Sequence, residues 1–130
     1  MVKFNIYTPE LFNNIAQLQC NGEYYDFHND YSCSNILLEY ECLNLSLKHL
    51  INNLNVCLVF SGVTVTKINF SFNEQIIGNL TLDNLYRGRF ELKGNLYEYD
   101  NMKRCYYYLE FYEGYSLEFF ANNLQLQIIA

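Results

Sequence analysis

Leu43, Leu45 and Leu47 alternate with Asn44, Ser46 and Lys48, and this period of two constrains the fold more than any other feature of the chain. In a strand it places the leucines on one face and the polar residues on the other, so a sheet with one buried face is required. An asparagine-rich turn (Asn52, Asn53, Asn55) leads to Val56-Cys57-Leu58-Val59-Phe60, apolar throughout, as expected of a central strand covered on both faces. Ser61-Gly62 supplies a turn or bulge, and Val63 to Phe72 continues with β-branched and aromatic residues. Within that run the apolar set changes phase, from Val63 and Val65 to Ile68, Phe70 and Phe72. An odd step in a period-two pattern predicts a bulge or bend near Thr66-Lys67, because a plain strand would turn the later residues outward.

The same reading extends along the chain. Val2 to Tyr7 is a short edge strand. Thr8-Pro9-Glu10 has the chemistry of a helix start: a capping oxygen, proline at the first position and an acid at the positive end of the dipole. With Leu11, Ile15 and Leu18 at helical spacing and Asn21-Gly22 as a terminator, this predicts one helix from Pro9 to about Gln19. Ser34 to Cys42 is a strand with Ile36, Leu38 and Tyr40 on one face and Asn35, Glu39 and Glu41 on the other, its alternation broken by Leu37. Ile76 to Leu82 and Arg87 to Lys93 are two more strands, and Leu96 to Asn101 is a loop or irregular edge. Cys105 to Tyr112, Ser116 to Phe120 and Leu124 to Ile129 follow, joined through Glu113-Gly114 and Asn122-Asn123, which predicts an antiparallel meander.

The expected fold is therefore mainly β with one N-terminal helix (α+β): a single domain over residues 1–130 in which eight to ten short antiparallel strands form a sandwich or a strongly curved sheet. Phe60, Phe70, Phe72, Phe90, Leu92, Leu117, Phe119, Leu126 and Ile128 lie on the apolar phases of their strands and are the expected core. At 51% hydrophobic residues with a single proline, the chain is neither disordered nor a linker.

Eight basic against 14 acidic residues give a net charge of −6, with the basic residues scattered, which disfavours binding to phosphate backbones. The same balance suits ordinary solubility or a basic protein partner. No apolar run reaches the ~18 residues needed to cross a bilayer, and the first residues lack a signal-peptide core, so the expectation is a cytoplasmic protein with no membrane association. The five cysteines are odd in number and without a CxxC pair, consistent with reduced, buried thiols; no metal or other cofactor is expected.

Groups capable of chemistry concentrate between Glu23 and Tyr31. In an extended segment Asp26, His28 and Asp30 would share one face, as a metal or acid–base site requires. Alternatively, the acids and Asn29 cap turns while His28 makes a structural hydrogen bond. A third reading is a contact surface of tyrosines and carboxylates, with Tyr24, Tyr25 and Asp26 in one loop and Tyr97, Glu98, Tyr99 and Asp100 in another; the competing view is that these tyrosines cap the ends of the sheets.

Phe27-His28-Asn29-Asp30, Phe60-Ser61-Gly62-Val63 and Phe72-Asn73-Glu74-Gln75 followed by Ile76-Ile77 and Leu80, in that order, resemble stretches of small bacterial immunity proteins from polymorphic toxin systems, in particular the family known as immunity protein 50. The resemblance runs from about Tyr25 to Ile128. It departs from the family at Asn29, where an aspartate would fit, and at Ile76, where a second asparagine would follow the glutamine. It implies a non-enzymatic protein that neutralises a cognate toxin, such as a basic nuclease domain, by binding it, and it fixes no contact residues and no oligomeric state. The alternatives are a structural or scaffolding domain with another partner, and a small enzyme using Asp26, His28 and Asp30.

Overall fold

The computed structural model describes residues 1–6, 14–70, 79–87, 90–93, 95–97 and 104–129, with 90–92 and 95–97 as backbone only. Its strands in chain order are β1 (Val2–Asn5), β2 (Gln17–Cys20), β3 (Glu23–Asp26), β4 (Tyr31–Glu39), β5 (Cys42–His49), β6 (Asn55–Ser61), β7 (Thr64–Asn69), β8 (Leu82–Arg87), β9 (Phe90–Leu92), β10 (Asn95–Tyr97), β11 (Cys105–Phe111), β12 (Ser116–Ala121) and β13 (Asn123–Ile129). One sheet has the order β1-β13-β6-β5-β4 and a second β7-β12-β11-β8, with β2–β3 and β9–β10 as separate hairpins. All pairings are antiparallel.

The leucine alternation is realised in β5. Leu43, Leu45 and Leu47 are buried and lie opposite Phe60, Leu58 and Val56 of β6. Those in turn face Leu124, Leu126 and Ile128 of β13, so three strands share one apolar face. β6 is central, as expected, but only its Val56, Leu58 and Phe60 face is buried; Cys57 and Val59 are half-buried on the other side. The second sheet presents Leu117, Phe119 and Ala121 of β12, Tyr107, Leu109 and Phe111 of β11, and Leu82 and Leu85 of β8 to the same core. Phe60 joins the two layers, its ring edge-on to Phe119 at 4.9 Å and to Tyr107 at 5.1 Å. Two sheets packed face to face through alternating residues make a β-sandwich.

Of the expected core, Phe60, Leu117, Phe119 and Leu126 are buried, while Phe70 and Ile128 pack on its margin. Phe72 and the side chains of Phe90 and Leu92 lie outside the described residues. The phase change in β7 is a bulge: Lys67 opposes Glu118 and Val65 opposes Phe119, leaving Thr66 between them. Its hydroxyl donates to the Glu118 carbonyl at 3.0 Å.

Gly62 and Asn122 form a corner at which β6 and β12 both leave their sheet, β6 continuing as β7 and β12 as β13. Gly62 has φ 66°, and a Cβ there would collide with the side-chain amide of Asn122. The Asn122 backbone amide donates to the Ser61 carbonyl at 2.8 Å. The expected three-stranded meander is therefore interrupted. β11 and β12 are a hairpin, but β13 crosses to the other sheet and inserts between β1 and β6, since strands of a sandwich can turn corners through bends.

The expected helix from Pro9 to Gln19 is absent from the described residues. Residues 9–13 lie outside the described part, Asn14 makes a β-bridge to Tyr86, and Gln17–Cys20 is strand β2. Two local effects override the helical spacing. The Asn14 side chain accepts from the Ala16 amide at 3.1 Å and the Leu85 amide at 3.0 Å, a local bond that competes with a helical turn. Asn21-Gly22, with φ 51° and 78°, closes the two-residue turn of the β2–β3 hairpin rather than ending a helix. Ile15 and Leu18 are still buried, by a turn and a strand instead of one helical face. Among the described residues the fold is all-β, and no helix is long and apolar enough to cross a membrane.

Candidate functional site

The Glu23–Tyr31 segment does not gather its chemistry at one point. Tyr25 is only 6% exposed and heads a row of rings: Tyr25 to Phe27 at 5.9 Å, Phe27 to Tyr31 at 5.4 Å and Tyr31 to His49 at 4.9 Å. Tyr24, the alternate residue of the strand, is 60% exposed. The Asp26 carboxylate accepts from the Asn29 backbone amide at 3.0 Å and side-chain amide at 2.8 Å. Burial alone would raise its pKa, but these bonds and the backbone amide of His28 hold it below the usual carboxylate range. Nδ1 of His28 donates to the Leu82 carbonyl at 2.9 Å and lies 3.8 Å from Asp83 of β8, while Asp30 is exposed. Asp26 thus caps the turn and His28 reaches β8, so the three groups do not converge on one site. Tyr97 belongs to β10, of which only the backbone is described, and Glu98, Tyr99 and Asp100 lie outside the described residues.

A layer of tyrosines and carboxylates does exist, on the outer face of the second sheet. Tyr106 donates to Glu118 at 3.1 Å, and Tyr108 donates to Glu110 at 2.6 Å. Asn84 donates to the other Glu110 oxygen at 2.9 Å, and Lys67 lies 3.8 Å from Glu118. Burial pushes the Tyr106 phenol up, and the Glu118 charge adds to the shift. Arg104 lies over the Phe120 ring at 5.5 Å and donates to Thr64 at 2.6 Å. These bonds hold the layer together internally, which makes it a brace across β7, β12, β11 and β8.

A different constellation lies at the tip of the β4–β5 hairpin. Glu39 pairs with Cys42, so Tyr40 and Glu41 are a two-residue loop, and both have positive φ, 50° and 60°. This is the type I′ geometry for which Asn-Gly is suited; bulky L-residues there cost about 1 kcal/mol each. The loop is fixed by the Val63 amide, which donates to the Glu41 carbonyl at 2.9 Å. Tyr40 is 93% exposed and is flanked by exposed Glu39 and Glu41; Leu38 and Leu37 below it are 50% and 44% exposed. Neither acid forms an ion pair among the described residues. The strand expected over Ser34 to Cys42 ends at Glu39, and the tip that follows carries no turn residue to signal it. The available signal was length: strands are usually 3–10 residues, so a turn had to fall between the two alternating runs.

The cysteines are free thiols, and among the described residues no group of three or more His, Cys, Asp or Glu is placed to hold a metal ion. Burial pushes the Cys33 thiol from an ordinary 9.0 up to about 12. The unfolded chain then releases this proton at lower pH than the folded one, so the bound-proton difference makes stability fall as pH rises from about 9 towards about 12. Tyr25, Tyr31 and Tyr106, also pushed up by burial, act in the same sense. Urea unfolding at pH 8 and pH 10.5 should show this loss, and Cys33→Val should reduce it; an unchanged loss in the variant would assign the effect to the tyrosines.

No family model, curated protein or solved structure matches this chain.

Proposed function

We propose that this chain is a non-enzymatic, cytoplasmic protein-binding domain that neutralises a cognate bacterial toxin by direct contact, with the β4–β5 tip as its contact element. The resemblance to immunity protein 50 supports the toxin, and the tip supports the mode. The observation that carries the reading is an exposed tyrosine held between two carboxylates that form no ion pair among the described residues, on a loop whose backbone is strained. Strain of this kind persists where function selects it, and tyrosine beside acids suits a basic partner. A net charge of −6 would speed association with such a partner.

The test is co-expression with the polypeptide encoded immediately upstream, followed by co-purification and growth rescue. The neighbour should be toxic alone, and both binding and rescue should occur. A harmless, non-binding neighbour defeats the toxin reading. Replacing the loop by Tyr40→Asn with Glu41→Gly should then separate stability from binding: the fold gains about 1–2 kcal/mol as the turn relaxes, while affinity falls by about tenfold or more. A gain in stability with unchanged affinity would move the contact away from the tip.

A further inference from the structure

We infer that the outer edge of β4 binds an extended, basic segment of a protein partner by strand addition, with Ile36 and Leu38 as the backbone docking positions. The inference rests on the protein-binding reading above and specifies how the contact is made. β4 is the last strand of its sheet, paired with β5 on one side. In a two-residue hairpin the closing pair, here Glu39 and Cys42, exchanges both hydrogen bonds, and pairs alternate from there. Leu37 opposite Asn44 is therefore bonded to β5, whereas Leu38 opposite Leu43 and Ile36 opposite Leu45 turn their N–H and C=O groups away from it.

The same alternation makes Cys33, opposite Leu47, an outward-facing residue, and there the outward groups are in use: the Cys33 amide donates to Leu80 at 2.7 Å and the Leu80 amide to Cys33 at 3.0 Å. The edge is thus closed at Cys33, and a register shift between Cys33 and Asn35 follows. Beyond the shift, no backbone partner for Ile36 or Leu38 exists among the described residues.

The side chains say what would lie there. Leu37 and Leu38 are both half-exposed, one on each face of the strand, so an added strand would cover apolar surface on both sides. Glu39, next along the edge, and Glu41 in the loop are exposed acids without a cation among the described residues. A lysine or arginine directly across from Glu39 would form a favourable cross-strand pair. Native edges are commonly blunted by lysine, proline or a covering loop, and Asn35 to Glu39 carries neither lysine nor proline. A second copy of the chain suits this edge less well, because each copy carries a net charge of −6.

Amide hydrogen exchange tests the inference in the protein alone. Ile36 and Leu38 should exchange rapidly, with Leu37 and Glu39 protected. Protection at Ile36 and Leu38 would overturn it, whether constant, meaning that the chain covers its own edge, or increasing with concentration, meaning self-pairing. In complex with the upstream-encoded polypeptide, both amides should become protected. Leu38→Pro, which removes an outward donor and leaves the β5 ladder intact, should weaken binding by about tenfold. A complex that forms without protecting them overturns strand addition and leaves the protein-binding reading standing. If that polypeptide does not bind, an alternating lysine–valine octapeptide provides the second arm: it should shift the Ile36 and Leu38 amide resonances more than its glutamate–valine counterpart. Equal shifts with both peptides, or none, would overturn the inference.

Discussion

Phe60→Ala should lower the unfolding free energy by about 3–5 kcal/mol, enough to leave a domain of this size marginally folded. Phe60 is fully buried, and its ring meets Phe119 and Tyr107 of the opposite sheet edge-on, so truncation removes the side chain that both layers share. The backbone around it is held by β5 on one side and β13 on the other, so the cavity cannot readily collapse. Urea unfolding followed by circular dichroism measures the effect. Leu38→Ala, at the half-exposed end of β4, should cost less than about 1 kcal/mol in the same assay, since little burial is lost. Similar values at the two sites would mean that the sheets do not share this core.

Asn14→Ala should cost about 2–4 kcal/mol, through hydrogen bonding instead of volume. One carbonyl oxygen accepts from both the Ala16 and Leu85 amides, and Ile15 donates to the Leu85 carbonyl at 2.7 Å. Alanine would orphan the backbone amides of Ala16 and Leu85, both fully buried residues. Asn14→Asp retains the acceptor and should recover most of the loss at pH 7, while hydrogen exchange at the Leu85 amide should accelerate in the alanine variant and not in the aspartate one. An alanine variant as stable as the parent would show that water replaces the bond.

These two residues also mark what the sequence disclosed and what it concealed. Phe60 was legible because an unbroken apolar run marks a central strand, although the run did not show that only one of its faces is buried; β5, β12 and β13 write their environment into a period of two. The Thr66 bulge was legible for the same reason, as an odd step in that period. Asn14 was not legible: its partner Leu85 is remote in sequence, and the only local signal was a helical spacing of Leu11, Ile15 and Leu18 that a turn and a strand satisfy equally well. Asn21-Gly22 suits either a helix end or a type I′ hairpin, and only the pairing of β2 with β3 decides between them. The candidate tip failed in the opposite way. Tyr40-Glu41 adopts a turn that its residue types disfavour, so propensity placed both residues inside the strand from Ser34 to Cys42. The tyrosine–carboxylate chemistry expected at Tyr24, Tyr25 and Asp26 is divided between an exposed Tyr24, a core Tyr25 and a turn-capping Asp26.

The place of β13 bears on how the molecule reaches this state. Val2 pairs with Ile128 across nearly the whole chain and β13 pairs with β6 across roughly half of it, so one flank of the first sheet depends on long-range contacts. Contact order of this kind slows folding towards milliseconds or seconds, because the entropy of closing the longest loops is lost before their pairing compensates. During synthesis the hairpin β4–β5 and its neighbour β6 can assemble early, but β6 keeps an unsatisfied flank until residues 123–129 emerge. The interval before β13 docks is therefore when this chain is most open to aggregation.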